Sequence, residues 1–227
     1  MAVYRLPKEL EFPSPTHADS DGLLAIGGDL SPKRLLKAYR LGIFPWYNAD
    51  EPIYWWSPDP RSIIAPSNVH ISQRLARVIR SKRYTISYDT VFDTVIEQCA
   101  QSRRTSQKGT WITPAMQEAY STLHLMGNAH SIESWNDGKL VGGLYGISIG
   151  GVFFGESMFS HQTDASKVAF ASLAQQLHLW GFDLIDCQVH SKHLAQFGAQ
   201  PLPRELFLKQ LIASVNQPDR WMKNPSG

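Results

Sequence analysis

Asp186 and Gln188 stand two residues apart in Leu184-Ile185-Asp186-Cys187-Gln188-Val189. On a strand, that spacing puts both side chains on one face, roughly 6.5–7 Å apart at the backbone, with Ile185, Cys187 and Val189 on the other. A carboxylate beside a carboxamide at a strand end can move a proton and orient a polar substrate. The same pair can also be solvent-facing or cap a helix, since Asp and Gln on strands are usually exposed. Glu156 sits in Phe153-Phe154-Gly155-Glu156-Ser157-Met158-Phe159. A charge amid aromatics and Met is costly unless paired. Glu156 therefore reads either as the one acid of an apolar pocket or as an outward-facing group on a half-exposed strand. Phe153 and Met158 have opposite parity, so a pocket using both requires a bulge, which Gly155 can permit.

Two further groups bear on chemistry. Arg74, Arg77 and Arg80 step by three along an expected helix, Lys82 and Arg83 extend the stripe, and Arg103, Arg104 and Lys108 follow in a polar loop. Such a stripe can hold phosphates or be a solvated helix face. Trp46, Trp55, Trp56 and Trp111 fall in loop-like settings, where they can stack on bases or plug one unit onto another. The chain has no P-loop, no G-x-S-x-G elbow and no H-E-x-x-H. Its Gly pairs at 142–143 and 150–151 do not make G-x-G-x-x-G. Nucleoside-triphosphate, dinucleotide and zinc chemistry are disfavoured.

The elements that must position these residues fall into two parts. Up to about residue 60, Pro and Gly recur, and only Ser31-Pro32 opens a short helix, through Leu35, Leu36 and Tyr39 to Gly42. The turn at Pro58 and Pro60 is the expected boundary, giving units 1–60 and 61–227. Beyond it, helices are expected at 70–83, with Ile71, Leu75, Val78 and Ile79 inward, and after Asp89 as cap, with Phe92, Val95, Ile96 and Cys99 inward. A third opens at Thr113-Pro114, burying Met116, Ala119, Tyr120 and Leu123 and ending at Gly127. Strands are expected at 130–135, 139–148 and 152–159. A long helix capped by Asp164 carries Val168, Leu173, Leu177 and Trp180 to Gly181. A strand at 182–189 and a helix at 203–214 follow. The fold class is α+β, with a layered αβα second part.

The 227 residues are 43% hydrophobic and 19% charged, enough for one sizeable core and not a disordered composition. A net charge of +2 does not by itself mark a nucleic-acid binder, so any RNA contact must use locally concentrated charge. Cys99 and Cys187 form no metal-type spacing and no disulfide framework. Neither a signal peptide nor a membrane span is expected, which fits a reducing cytosol and a cytoplasmic protein.

Taken together, the segments resemble the bacterial leucyl/phenylalanyl-tRNA–protein transferases. The matching stretches are Phe12-Pro13-Ser14-Pro15, Gly22-Leu23-Leu24-Ala25-Ile26-Gly27-Gly28-Asp29-Leu30, Gly42-Ile43-Phe44-Pro45-Trp46 and Trp55-Trp56-Ser57-Pro58-Asp59-Pro60-Arg61. They continue with Gly109-Thr110-Trp111-Ile112-Thr113, His130-Ser131-Ile132-Glu133, Leu140-Val141-Gly142-Gly143, Gly155-Glu156-Ser157-Met158-Phe159-Ser160, Ala165-Ser166-Lys167 and Leu184-Ile185-Asp186-Cys187-Gln188. They run in the family's order from about residue 12 to 200, and it is their combination that is specific.

The resemblance implies a small N-terminal domain and an acyl-CoA N-acetyltransferase-like (GNAT) domain. It implies transfer of Leu or Phe, and less readily Met, from aminoacyl-tRNA to proteins beginning with Arg or Lys, feeding N-end-rule degradation, with no cofactor and no metal. It matches Trp46 and Trp111 to the residues holding the terminal adenine. Leu144, Phe153, Gly155, Met158, Phe170, Leu173 and Ile185 match an apolar aminoacyl pocket. Glu156, Asp186 and Gln188 match the reactive or orienting polar groups, and residues 73–83 the acceptor-stem helix. Departures are Leu144 where Met is familiar, Gln73 and Ser81 where Arg is frequent, and a longer 101–108 loop. Three rival readings fit less well. An acetyl-CoA enzyme lacks its Gly-rich turn in His161–Lys167. An RNA-binding module leaves the pocket unexplained. An arginyl-transferase would need an acid in the donor pocket.

Overall fold

The structure, a computed structural model of the chain, describes residues 3–102 and 111–222. Arg103, Arg104 and Lys108 lie outside the described residues. The first part holds β1 (Tyr4–Leu6), β2 (Leu23–Gly27), α1 (Pro32–Arg40), β3 (Phe44–Pro45) and β4 (Tyr54–Trp56). The four strands form one sheet in the order β1-β2-β4-β3, which the loop-rich reading missed. Pro32 starts α1 with its fixed φ, and Gly42 follows its end at φ +74°.

The second part comprises β5 (Arg61–Ile64), α2 (Gln73–Arg80), β6 (Thr85–Tyr88), α3 (Phe92–Gln101), α4 (Pro114–Leu125), β7 (Ala129–Asn136), β8 (Lys139–Ile149) and β9 (Val152–Ser160). It continues with α5 (Ala165–Leu179), β10 (Leu184–Asp186), α6 (Lys192–Ala195), β11 (Gln200–Leu202) and α7 (Arg204–Val215). Seven strands pair in the order β11-β5-β10-β9-β8-β7-β6. Strands β7 to β9 are the expected antiparallel meander, with Asp137 and Gly138 in left-handed conformations at the first turn and Gly150 at the second. Strand β10 joins β9 in parallel after the α5 crossover, as a parallel pair requires.

Helices cover both faces of this sheet. Leu75 from α2 and Val168, Phe170 and Leu173 from α5 pack with Leu144, Phe153 and Ile185. On the opposite face α1, α3, α4 and α7 share one core with Tyr145, Val152, Phe154 and Leu184. The α+β class and its αβα layering are therefore observed. The core on that face runs from Leu35 and Tyr39 into Tyr120 and Phe207 without a break.

Several local expectations are corrected. Helix α2 starts at Gln73, capped by the Ser72 hydroxyl, and Ile79 is exposed rather than inward. Neither Asp89 nor Asp164 caps a helix with its side chain. Both take left-handed backbone conformations, φ +54° and +66°, and turn their carboxylates to His130 and to Arg74 and Lys167. The strand expected over 182–189 is only Leu184–Asp186.

Candidate active site

Two parallel strands part at the site. The last β10–β9 pair is Asp186 with Phe154. Beyond it β9 runs on to Ser160 while the chain after Asp186 turns away. A cavity of about 350 Å³ occupies the gap, within the size range of small-ligand sites. Its apolar wall is Leu144, Phe153, Met158, Phe170, Leu173 and Ile185. Gly155 lines it as well, and Trp46 and Trp111 line it together with Phe44 and Pro45. Trp56 packs against Trp46, with ring centroids 5.8 Å apart.

The anticipated bulge is present. Tyr145 pairs with Ser157, but Gly146 pairs with Gly155, so Glu156 is the extra residue on β9. The bulge brings Phe153 and Met158 to one cavity and leaves Glu156 able to reach the opposite face. Gly146 permits this: a Cβ there would lie 2.3 Å from the Phe154 carbonyl oxygen.

Glu156 is the acid of a network that sequence spacing does not reveal. Its Oε1 accepts from the Tyr39 hydroxyl at 2.8 Å and from Gln188 Nε2 at 2.8 Å, and its Oε2 accepts from the Tyr120 hydroxyl at 3.2 Å. The two tyrosine hydroxyls also touch each other. Among the described residues, Glu156 has hydroxyl and amide partners but no cation. Burial raises its pKa from 4.5 to about 7, while the three hydrogen bonds pull against the rise. Burial, reinforced by the Glu156 charge, pushes both tyrosine hydroxyls well above their ordinary value, so they remain donors. Burial likewise pushes the Cys187 thiol up, and it is no nucleophile at neutral pH.

Asp186 departs from expectation. It does not share a face with Gln188 and does not line the cavity. Strand alternation turns Ile185 and Cys187 to the cavity and Asp186 to the other face. Gln188 returns to the cavity through a left-handed backbone, φ +59°, past the strand end. Arg61 donates from Nε to Asp186 Oδ1 at 2.8 Å and from a terminal nitrogen to Oδ2 at 2.7 Å. Its other terminal nitrogen donates to the Gly42 carbonyl at 3.0 Å. The guanidinium lies 4.7 Å from the rings of both Phe44 and Phe207. Asp186 Oδ1 also accepts the Gln188 backbone N–H at 2.8 Å, which pins the turn. Arg61, Tyr39 and Tyr120 were absent from the sequence-derived site. So were Ser191 and His193, which line the cavity on the α6 side.

The basic stripe is exposed as expected: Arg74, Arg77, Arg80, Lys82 and Arg83 all face solvent along and just after α2. Arg74 pairs with Asp164 at 3.1 Å, and Arg83 meets Gln162 at 3.3 Å. Among the described residues, no cluster of three His, Cys, Asp or Glu is placed to hold a metal ion. No described helix is long and apolar enough to cross a membrane.

Fold and site define a layered α+β protein whose ligand cavity opens where two parallel strands separate, apolar along one wall and hydrogen-bonded at one corner. The chain belongs to the family described as leucyl/phenylalanyl-tRNA protein transferase, whose model matches residues 63–212, with the family's N-terminal domain matching 28–59. A leucyl/phenylalanyl-tRNA–protein transferase of Anaeromyxobacter sp. (strain Fw109-5) is 54% identical over 224 residues, covering 97% of this chain and 95% of that one. Another, from Myxococcus xanthus (strain DK1622), is 51% identical over 229 residues, covering 100% and 98%. Among solved structures, L-PGS from Bacillus licheniformis aligns with 76% of this chain and 57% of its own at 12% identity. Its TM-score is 0.40.

Proposed function

We propose that this protein transfers Leu or Phe, and less readily Met, from an aminoacyl-tRNA to the N-terminal α-amino group of acceptor proteins beginning with Arg or Lys. The products enter N-end-rule degradation in the cytoplasm. The observation that carries the reading is the cavity itself, whose lining combines a Leu- or Phe-sized apolar wall, a carboxyl–carboxamide corner and two tryptophans. Residues 1–60 and 61–227 act as two units of one catalytic body.

In this reading the terminal adenine stacks on Trp46 and Trp111, and the acceptor stem lies along Arg74, Arg77, Arg80, Lys82 and Arg83. The donor side chain fills the wall of Leu144, Phe153, Met158, Phe170, Leu173 and Ile185, with Gly155 leaving it room. An apolar fit of this kind discriminates coarsely, so several apolar donors are accepted.

The ester donor is more reactive than the amide product, and holding the two substrates in line supplies much of the rate. The attacking group arrives as an ammonium. One proton leaves before attack, and a second leaves as the C–N bond forms and the C–O bond to the ribose breaks. The ribose 3′ oxygen takes one of them, by way of its neighbouring hydroxyl, and one is released. Glu156, with a pKa of about 7, is matched to take the first from an α-ammonium of pKa about 8. Gln188 gives its Nε2 hydrogen to Glu156 and keeps Oε1 free to accept from the amine. Asp186 is a positioning residue: with Arg61 it fixes the turn that presents Gln188.

The test uses purified protein, radiolabelled Leu-tRNA and two peptides differing only in a first residue of Arg or Ala, without CoA or ATP. Label moving to the Arg peptide alone supports the reading. Intact charged tRNA with folded protein and no transfer overturns it.

A further inference from the structure

After α7 the described chain returns to the sheet face that carries α5 and places Trp221 behind the wall of the cavity. Trp221 does not line the cavity, yet it packs against the cluster holding Leu144, Phe153, Phe170, Leu173 and Ile185. Its ring lies 5.9 Å from that of Phe153, with 23° between the planes. It also stacks on His130 at 3.9 Å and 17°, with Trp180 edge-on at 5.0 Å.

Polar anchors fix its place. The Trp221 indole N–H donates to Asp89 Oδ2 at 3.1 Å, and His130 Nδ1 lies 2.8 Å from the same oxygen. His130 Nε2 lies 3.2 Å from the Gly127 carbonyl. Both ring nitrogens thus face acceptors, which fixes the plane on which the indole stacks. Asp89 is held in turn by the Ser131 backbone N–H at 2.9 Å. Phe153 is also confined against Gly146, where an added Cβ would lie 2.6 Å from its ring. The Phe153 ring therefore occupies a defined position, and Trp221 is a large part of what defines it.

We propose that Trp221 is a specificity-determining residue for the donor amino acid, acting through Phe153 to fix the depth of the apolar slot. This rests on the reading of that slot as the donor side-chain site. Removing the indole opens space behind Phe153. Its ring then relaxes outward because a buried void is unfavourable. The slot deepens, a Leu side chain loses contact, and Phe still fills it.

The experiment compares kcat/KM for Phe-tRNA and Leu-tRNA with an Arg-initiated peptide, in wild type and in Trp221→Ala, Trp221→Leu and Trp221→Phe. The Phe-to-Leu ratio is expected to rise about three- to tenfold in the Ala and Leu variants and to return toward wild type in the Phe variant. Affinity for uncharged tRNA should not change. The Leu variant keeps an apolar filler and carries the test should the Ala variant fail to fold. Wild-type transfer from both donors establishes the underlying reading separately. An unchanged ratio in a folded variant, or equal losses for both donors, overturns the role of Trp221 alone.

Discussion

Asp186 is fully buried and Glu156 half-buried at the cavity, and Gln188 links the two through its backbone N–H and its side chain, yet their surroundings make them different instruments. Asp186 meets a guanidinium on both oxygens and a backbone amide on one. Glu156 meets two phenols and a carboxamide, all neutral. A charged partner makes a carboxylate part of the scaffold. Neutral donors in a dry setting leave its proton affinity near neutrality, where exchange is useful.

The largest effect is expected from breaking the charged pair. Arg61→Ala strands Asp186 without its cation in the core, and such a change costs about 3–5 kcal/mol. Urea denaturation should show that loss directly. Replacing both partners, as Arg61→Met with Asp186→Leu, is expected to recover most of the stability while leaving transfer impaired, because the Gln188 turn loses its anchor. If the double variant transferred at the wild-type rate, the positioning role of Asp186 would be wrong.

Glu156→Gln attacks the other carboxylate and should separate activity from stability. Transfer is expected to fall about 10²- to 10⁴-fold, the usual range for losing a proton-transfer group. The rise of kcat/KM through pH 7 should vanish, leaving only the acceptor amine's own limb near pH 8. Stability moves the other way. The folded pKa of Glu156 is raised, so the folded state binds more protons than the unfolded chain between pH 4.5 and about 7. Stability contributed by this group is present below pH 4.5 and is lost as pH rises through 7. At 1.36 kcal/mol per unit, the loss is about 3 kcal/mol. Glu156→Gln should accordingly melt higher than wild type at pH 8, and the advantage should disappear at pH 4.5. Equal melting shifts at both pH values would show that Glu156 does not titrate as described.

Tyr39→Phe gives a smaller and sharper result. It removes one donor to the carboxylate and adds apolar surface, and both changes favour the protonated form. The acidic limb of the rate profile should move up by about one unit, while the affinity for tRNA stays constant. A fall in rate with no movement of the limb would reduce Tyr39 to a packing residue.

Much of this was legible in the chain. The helical faces of α1, α3 and α4 follow apolar spacing, and the meander follows its turns. The opposite parity of Phe153 and Met158 called for a bulge near Glu156 if one pocket was to use both. What escaped has a common cause: long sequence separation. Tyr39 and Tyr120 reach Glu156 across 117 and 36 residues, and Arg61 reaches Asp186 across 125. Nothing local selects one tyrosine or arginine over another. The N-terminal sheet escaped because its strands are two to five residues long, too short for alternation to register. A strand continued through Gln188 puts Asp186 on the cavity face, but the backbone there adopts φ +59° and the alternation stops. Asp89 and Asp164 read as caps because sequence does not distinguish an extended capping backbone from a left-handed one.

The apolar wall should be the most forgiving part of the site, and Leu144→Met measures how forgiving. Leu144 lies on β8 opposite Met158, its side chain turned to the cavity. Leu and Met differ little in volume, and such exchanges usually change stability by less than about 1.5 kcal/mol. Met adds torsional freedom, so it adapts to either a branched or a flat partner. Transfer from both Leu-tRNA and Phe-tRNA is expected to stay within about threefold of wild type, with an unmoved pH profile. A displaced profile would mean that the wall and the Glu156 corner are coupled, and the division between a tolerant apolar surface and an exacting polar one would fail at this position. An unmoved profile with altered donor preference would instead confine Leu144 to selection.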